Sequence, residues 1–246
     1  MSLPSGAGLT GIFGGTFNPV HLGHLHAAEE VCDRLDLQRM VFVPSAEPPL
    51  KRAGRDPIAP AAERLAWVRL AVADNARFEA DDLELAREGP SYSVETLAIL
   101  AQRFAPNPPV FVIGCDAFAD LDAWREPERL LTLSHFAVIT RPARGGPGFG
   151  SGADPRASLA EWLPAGLAGA FALDPDGQLG RHRRAGTWIR RLEIPALDIS
   201  ATDIRRRIEE GRSVRYLLPE AVRQAITASE TFRKKGADRK RNAERT

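Results

Sequence analysis

Leu9-Thr10-Gly11-Ile12-Phe13-Gly14-Gly15-Thr16-Phe17-Asn18-Pro19-Val20-His21-Leu22-Gly23-His24 is the stretch whose reading decides the fold. Leu9–Phe13 is short and mostly apolar, the pattern of a buried strand, and Gly14-Gly15 after it predicts a tight turn. From His21 to Leu37 the residues Leu25, Ala28, Val31, Cys32 and Leu35 recur at helical spacing. Strand, glycines and helix in this order predict the first unit of an open parallel sheet, whose ligands bind beyond the carboxyl ends of the strands. Gly14 and Gly15 let backbone N–H groups approach an anion, and a helix N-terminus adds unpaired donors and partial positive charge. His21 and His24 share a helix face, with Gly23 leaving room between them. Their rings can donate to phosphate oxygens and favour charge developing at phosphorus, which makes both candidate catalytic residues. A turn followed by two surface histidines explains either histidine alone, but not the whole string. Zinc is the weaker reading: His-x-x-His offers two ligands, with no Cys pair or carboxylate nearby at ligand spacing, so no metal ligand is assigned.

Outward from that stretch, strands and helices alternate. Met40–Val43 reads as a strand stopped by Pro44, and Ser45–Pro60 as a proline-rich surface loop. Ala61–Ala76 reads as a helix, Phe78–Leu85 as a strand region with acidic edges, and Ser93–Phe104 as a helix. Val110–Ile113 and Phe136–Ile139 are fully apolar strands. The alternation predicts an α/β fold, a doubly wound parallel sheet with helices on both faces. Residues 141–188 read as a loop-rich insertion, Gly- and Pro-rich at first. Ile189–Ile194 reads as the last strand, and Arg190 and Arg191 place it at an edge. Ser200–Glu210 and Pro219–Ala228 read as helices. Residues 1–230 are expected to form one domain, and 231–246 a disordered basic tail.

Composition excludes several classes of function. The 246 residues are 43% hydrophobic and 26% charged, ordinary for a globular protein with a sizeable core. The net charge of +1 gives no global field toward nucleic acid or acidic membranes. Residues 231–246 carry a net +5, which leaves −4 for the remainder. Two cysteines, Cys32 and Cys115, argue against a disulfide framework and for a reducing cytoplasm. No apolar run approaches the ~18 residues a bilayer span needs, and Met1–Gly8 does not read as a signal peptide.

A second candidate lies about 180 residues downstream: Ile199-Ser200-Ala201-Thr202-Asp203-Ile204-Arg205. Ser200 is a good N-cap, and Asp203 stands where a capping-box acid reaches back. Thr202 and Arg205 then lie one turn apart, and a guanidinium suits forked contacts with phosphate oxygens. In isolation an ordinary capped helix with solvated arginines explains this stretch equally well.

Thr16-Phe17-Asn18-Pro19-Val20-His21-Leu22-Gly23-His24 resembles the T-F-x-P-x-H-x-G-H signature of the nucleotidyltransferase superfamily. Ile199–Arg205 resembles its I-S-x-T-x-x-R motif. Pro90-Ser91-Tyr92-Ser93-Val94-Glu95-Thr96-Leu97, Ile113-Gly114-Cys115-Asp116 with Trp124, and Tyr216-Leu217-Leu218-Pro219 are similar to elements of the bacterial nicotinate-nucleotide adenylyltransferases. The resemblance implies a Rossmann-like fold and adenylyl transfer from ATP to nicotinate mononucleotide, giving deamido-NAD and pyrophosphate. Mg²⁺ would accompany the nucleotide. The resemblance implies that Gly14, Gly15, Thr16, Phe17, Ser200, Thr202 and Arg205 serve ATP and its phosphates. Tyr92, Ser93, Trp124 and Arg125 would serve the pyridine nucleotide. Ser93 can cap its helix, whose N–H groups then receive a carboxylate, and the Trp124 indole can stack on a pyridinium. Asp116 can accept from ribose hydroxyls, and Lys51 can meet phosphates from its loop.

The chain departs from the family pattern at Asn18, where Asp is frequent, and at Leu50, where His is common. Arg125 follows Trp124 where an aromatic is usual. Ala225–Phe232 lacks the usual close, and the basic tail is extra. Alternative readings are a sister transferase acting on nicotinamide mononucleotide or phosphopantetheine, or a cytidylyl transferase. From other classes come a nicotinamide-dependent oxidoreductase and a nucleic-acid binder using the tail. No G-x-G-x-x-G follows the first strand, and no G-x-x-x-x-G-K string exists for a P-loop. Small-molecule substrates are expected, with no nucleic acid and no membrane; a homo-oligomer is left open.

Overall fold

Residues 8–48, 58–140, 157–195, 197–229 and 231–232 are described by the computed structural model. Strand and helix alternate through its first half: β1 (Thr10–Gly15), α1 (Leu22–Leu35), β2 (Arg39–Pro44), α2 (Ala61–Val72), β3 (Phe78–Ala80), α3 (Ser93–Arg103) and β4 (Val110–Gly114). A short α4 (Cys115–Ala119), a 3-10 turn at Leu121–Ala123, α5 (Pro127–Leu133) and β5 (His135–Thr140) follow. Then come α6 (Leu159–Trp162), α7 (Ala165–Ala168), β6 (Phe171–Leu173), β7 (Leu179–His182), β8 (Trp188–Glu193), α8 (Ala201–Glu209) and α9 (Glu220–Ser229).

The strands form one sheet in the order β3-β2-β1-β4-β5-β8-β7-β6. The pairs from β3 through to β8 are parallel; β8–β7 and β7–β6 are antiparallel. Period two decides which side chain serves which face. Phe13, Met40, Phe42, Val110, Val112 and Ala137 join the core under α1, α2, α8 and α9. Ile12, Val41, Val43, Phe111, Ile113, Phe136 and Val138 join the core under α3 to α7. With both faces covered, the central strands read as nearly continuous apolar runs, as parallel strands do. The Rossmann-like, doubly wound reading therefore stands.

Three expectations are corrected in detail. No turn forms at Gly14-Gly15: β1 continues through both, paired to Val43 and Pro44. The strand region Phe78–Leu85 stops at Ala80, because the Asp81 carboxylate accepts from the Leu83 N–H at 2.8 Å and turns the chain. β8 is not an edge strand; it lies between β5 and β7. The described part of 141–188 also carries more regular structure than a loop-rich insertion. The β6–β7 hairpin turns at Asp174–Gln178, where Gly177 takes φ +65°. The expected disordered tail, apart from residues 231–232, lies outside the described residues.

Chain order reverses between β1 and β4: β2 and β3 lie on one side, β5 and β8 on the other. A parallel sheet opens a crevice at the carboxyl ends of such a pair.

Candidate functional site

Between β1 and α1 the chain turns at Phe17, whose φ of +47° is unusual for a bulky residue. Burial holds it there. The ring is 3% exposed and packs edge-on against Phe13 and His24, with centroids 6.0 and 5.2 Å away. It also lies over Gly15, where an added Cβ would stand 3.1 Å from the ring. The Phe17 side chain is thus core, and only its backbone faces the loop.

His21 is the N-cap of α1 and is 3% exposed. Its N–H donates to Nδ1 of His24 at 3.2 Å. An accepting Nδ1 places the proton of the neutral His24 ring on Nε2. The two rings stack, with centroids 3.7 Å apart and planes at 27°. Gly23 permits this: a Cβ there would stand 3.1 Å from Nδ1 of His21. Three of the four orphan amides at this helix start are already taken. The His21 N–H uses His24, the Leu22 N–H uses the Leu217 carbonyl at 3.1 Å, and the His24 N–H uses the His21 carbonyl at 2.9 Å. Gly23 supplies the fourth. The helix start therefore leaves one backbone amide, that of Gly23, beside the two imidazoles, fewer donors than the sequence predicts.

The downstream motif arrives at this same point. Ser200 caps α8 by accepting from the Asp203 N–H at 3.1 Å. The Asp203 carboxylate does not complete the box; it takes hydrogen bonds from Arg207 and Arg206, which hold its pKa below the usual range. Arg205 is 8% exposed and donates from Nη1 to the Asn18 carbonyl at 2.8 Å and from Nη2 to the Thr202 hydroxyl at 3.2 Å. The two motifs touch. Asn18 also accepts at Oδ1 from the Ala59 N–H at 3.0 Å, a bond an Asp carboxylate could equally accept.

On the other side of Gly14–Thr16 a cavity of about 420 Å³ opens at the ends of β1, β2 and β4. Gly14, Gly15 and Thr16 line it, and so do Tyr92, Ser93, Trp124 and Arg125. All four pyridine-side candidates therefore share one wall system with the strand end. Trp124 stands nearly perpendicular to Phe111, with centroids 6.4 Å apart. One expectation fails: Ser93 does not cap α3. Tyr92 is the N-cap residue, with extended backbone, and Ser93 is the first helical residue. Tyr92 N–H bonds the Pro90 carbonyl at 3.0 Å and Glu95 N–H the Tyr92 carbonyl at 3.1 Å. The remaining orphan amides of this helix start are those of Ser93 and Val94, both cavity residues.

His21, His24, Asp116, Ser200, Thr202 and Arg205 do not line the cavity. All but Asp116 gather on the α1 side of the loop. Asp116 sits in the first turn of α4, next to the cavity residue Ala117. Lys51 lies outside the described residues.

Sequence reasoning missed Arg64. It is 1% exposed, and its guanidinium donates to three backbone carbonyls: Ala59 at 2.9 Å, Thr16 at 2.7 Å and Ala46 at 3.1 Å. Burial pulls its pKa down, opposed by the Glu84 carboxylate. Ser91 was missed as well; its hydroxyl accepts from the Ala46 N–H at 2.9 Å and the Glu47 N–H at 3.2 Å. Buried Glu84 accepts from the Thr96 hydroxyl at 2.7 Å at the cavity wall. A helical wheel would have found Arg64, which stands four residues before Val68 and three before Trp67 on the apolar side of α2.

Among the described residues no group of three or more His, Cys, Asp or Glu side chains is gathered to hold a metal ion. No helix there is long and apolar enough to cross a membrane. Cys32 and Cys115 are buried free thiols, and burial pushes Cys32 up to about 12.

The cytidylyltransferase-like family model matches residues 12–207. A protein of Citrifermentans bemidjiense named "Probable nicotinate-nucleotide adenylyltransferase" is 43% identical over 216 residues, 88% of this chain and 94% of its own. One of the same name from Roseiflexus sp. is 42% identical over 223 residues, 91% and 97% of the two chains. A solved Plasmodium falciparum nicotinic acid mononucleotide adenylyltransferase, complexed with NaAD, shares the fold at a TM-score of 0.64 and 14% identity, covering 91% of this chain and 96% of its own. With the two signature motifs in contact and the relatives matching nearly end to end, the chain belongs to the nicotinate-nucleotide adenylyltransferases of the cytidylyltransferase-like family.

Proposed function

We propose that this chain transfers the adenylyl group of ATP to nicotinate mononucleotide, releasing pyrophosphate and forming deamido-NAD, a step of NAD biosynthesis. One observation supports the reading: Gly14–Thr16 lie between the histidine and serine-to-arginine motifs, joined by the Arg205–Asn18 bond, and a separate cavity lined by Tyr92, Ser93, Trp124 and Arg125. A reaction that joins two nucleotides through their phosphates needs such a border.

The 5′-phosphate of the acceptor attacks the α-phosphorus in line, and the bond to the β-phosphate oxygen breaks as pyrophosphate leaves. The attacking phosphate is already anionic, so no general base is needed. Catalysis is positioning and charge stabilisation. In this reading His21 and His24 hold the triphosphate and stabilise the charge that develops. Gly14, Gly15, Thr16, the Phe17 backbone, Ser200, Thr202 and Arg205 shape the phosphate site, and Asp116 accepts from the ATP ribose. Arg205, bonded to the Asn18 carbonyl, acts first by fixing that loop. Lys51 is assigned to phosphate on sequence resemblance alone. Tyr92, Ser93, Trp124 and Arg125 hold the pyridine nucleotide. Its carboxylate would meet the Ser93 and Val94 amides, and the Trp124 indole its cationic ring. Mg²⁺ would travel with ATP as part of the substrate, carried mainly by the nucleotide and water. Buried free thiols suit a reducing cytoplasm.

The test is pyrophosphate release from ATP with nicotinate mononucleotide, with mass identification of the dinucleotide. Nicotinamide mononucleotide, phosphopantetheine and CTP run in parallel. Release with nicotinate mononucleotide and ATP at the highest kcat/KM is expected. A higher value with another pair would replace the reading.

A further inference from the structure

We propose that Arg125 is the side chain that discriminates the acid from the amide form of the pyridine nucleotide. This deepens the reading above and rests on it. Arg125 lines the cavity beside Trp124 and Tyr92. Its guanidinium carbon stands 4.6 Å from the centre of the Tyr92 ring, which supports the planar group from one side. Nη1 is 3.1 Å from the Glu95 carboxylate of α3, and Nε is 3.8 Å from Glu126. The head group is thus held from three directions at the cavity wall, while Nη2 has no partner among the described residues.

The local charge does not cancel. Glu95 also serves Arg87 at 3.5 Å, and Glu126 also serves Arg129 at 3.0 Å. Three guanidiniums share two carboxylates. Glu84, the next acid inward, faces the buried charge of Arg64. The ion-paired cluster around Arg125 therefore holds one more guanidinium than carboxylate.

The two ligand forms answer that charge differently. A nicotinate ring is a zwitterion: its carboxylate gains from a guanidinium fork, and its ring cation is offset. A nicotinamide ring carries only the cation, which Arg125 repels. Backbone N–H groups do not make this distinction as sharply, because an amide carbonyl also accepts from them. At a half-exposed position the difference of one unit charge a few ångströms away is worth about tenfold in affinity.

The experiment compares the intact chain with Arg125→Ala and Arg125→Lys. It measures kcat/KM for nicotinate and nicotinamide mononucleotides at fixed ATP, and calorimetric binding of each nucleotide without ATP. Arg125→Ala is expected to lower the acid-to-amide ratio about tenfold in both measurements, through weaker acid binding and equal or better amide binding. Arg125→Lys should keep about a third of the wild-type ratio or more. An unchanged ratio, or an equal loss on both nucleotides, overturns the proposal, the latter marking Arg125 as a mere prop for Tyr92. The two readings fail separately. If the intact chain binds the acid nucleotide with an Arg125-dependent preference but makes no dinucleotide, the adenylyl-transfer reading falls and Arg125 stands. If it turns over with a ratio indifferent to Arg125, the reverse holds. If it binds neither nucleotide, both fall.

Discussion

The two sides of Thr16 are built to different rules. On the α1 side the polar groups are wired to the chain before any ligand arrives: Arg205 to Asn18 and Thr202, His21 to His24, Leu22 to Leu217. On the α3 side there is space instead, a cavity of about 420 Å³ walled largely by Trp124, Phe111, Val43 and Val94, with Arg125 at its mouth and buried Glu84 on its wall. Pre-organised dipoles act where charge develops in a transition state, and an apolar, roomy wall acts on a ring that binds unchanged. Substitutions on the first side should therefore appear in kcat and on the second in KM.

The largest effect should come from the residue that joins the sides. Arg64→Ala leaves one buried and two partly buried carbonyls, and the buried Glu84 charge, without their partner, which costs about 3–5 kcal/mol. For a chain of this size that lowers Tm by roughly 10 °C. Arg64→Lys keeps the charge but cannot reach three carbonyls at once, so its Tm should fall between. Calorimetric melting checks both. A drop below about 1 kcal/mol for Arg64→Ala would mean the loops hold each other without it.

His24→Ala should lower kcat by about 10²-fold or more, with both KM values moving only a few-fold. Losing its acceptor for the His21 N–H costs about 1 kcal/mol of stability, too little to unfold the chain. Near-normal turnover, or a loss confined to KM, would erase the proposed contrast between the two sides.

A region outside both sides provides the control. His135 is 8% exposed, stacks on Trp188 at 4.5 Å and accepts the Trp188 N–H at 3.1 Å. Burial, with the nearby Arg181 charge second, lowers its pKa from 6.5 to about 4. In the unfolded chain it takes up a proton below its ordinary value, whereas in the fold it stays neutral until about pH 4. Its contribution is thus complete above pH 6.5 and is lost as pH falls toward 4, up to about 3 kcal/mol. His135→Gln keeps an acceptor and removes the titration. Denaturant melts at pH 7.5 and 4.5 should show a smaller drop in the variant than in the parent. Equal drops would show that His135 is not held neutral. Relative kcat and KM at neutral pH should not follow this residue.

The same contrast explains what the sequence disclosed. Strands buried on both faces appear as apolar runs, so β1, β2, β4 and β5 were legible, as was the capped start of α8. Elements held by side-chain-to-backbone bonds left no such trace. Arg64 looks like one more surface arginine until its place on the wheel is counted, and the Ser91 hydroxyl bonds amides some 45 residues away. β8 misled because it carries two arginines. Arg191 is covered, lying 5.7 Å from the Trp162 ring and bonding Gln178 at 3.0 Å, so the strand takes a neighbour on each side. The β6–β7 hairpin did leave a signal, Pro175-Asp176-Gly177, but strands of three and four residues are too short to show alternation. The histidine turn and the serine-to-arginine turn were visible as motifs. Their contact, Arg205 on the Asn18 carbonyl, is a tertiary fact that spacing alone could not supply.

The smallest effect is the most diagnostic of the cavity side. Trp124→Ala should raise KM for the pyridine nucleotide about tenfold, the worth of a partly desolvated cation–π contact, and leave kcat within about twofold. Trp124→Phe keeps a weaker ring face and should raise KM about threefold. Initial rates over a range of nicotinate mononucleotide at saturating ATP separate the two constants. If kcat falls with the rise in KM, the indole also positions the attacking phosphate, and the border at Thr16 does not divide binding from chemistry. If neither constant moves, the ring does not stack on Trp124, and the acceptor lies elsewhere along the wall.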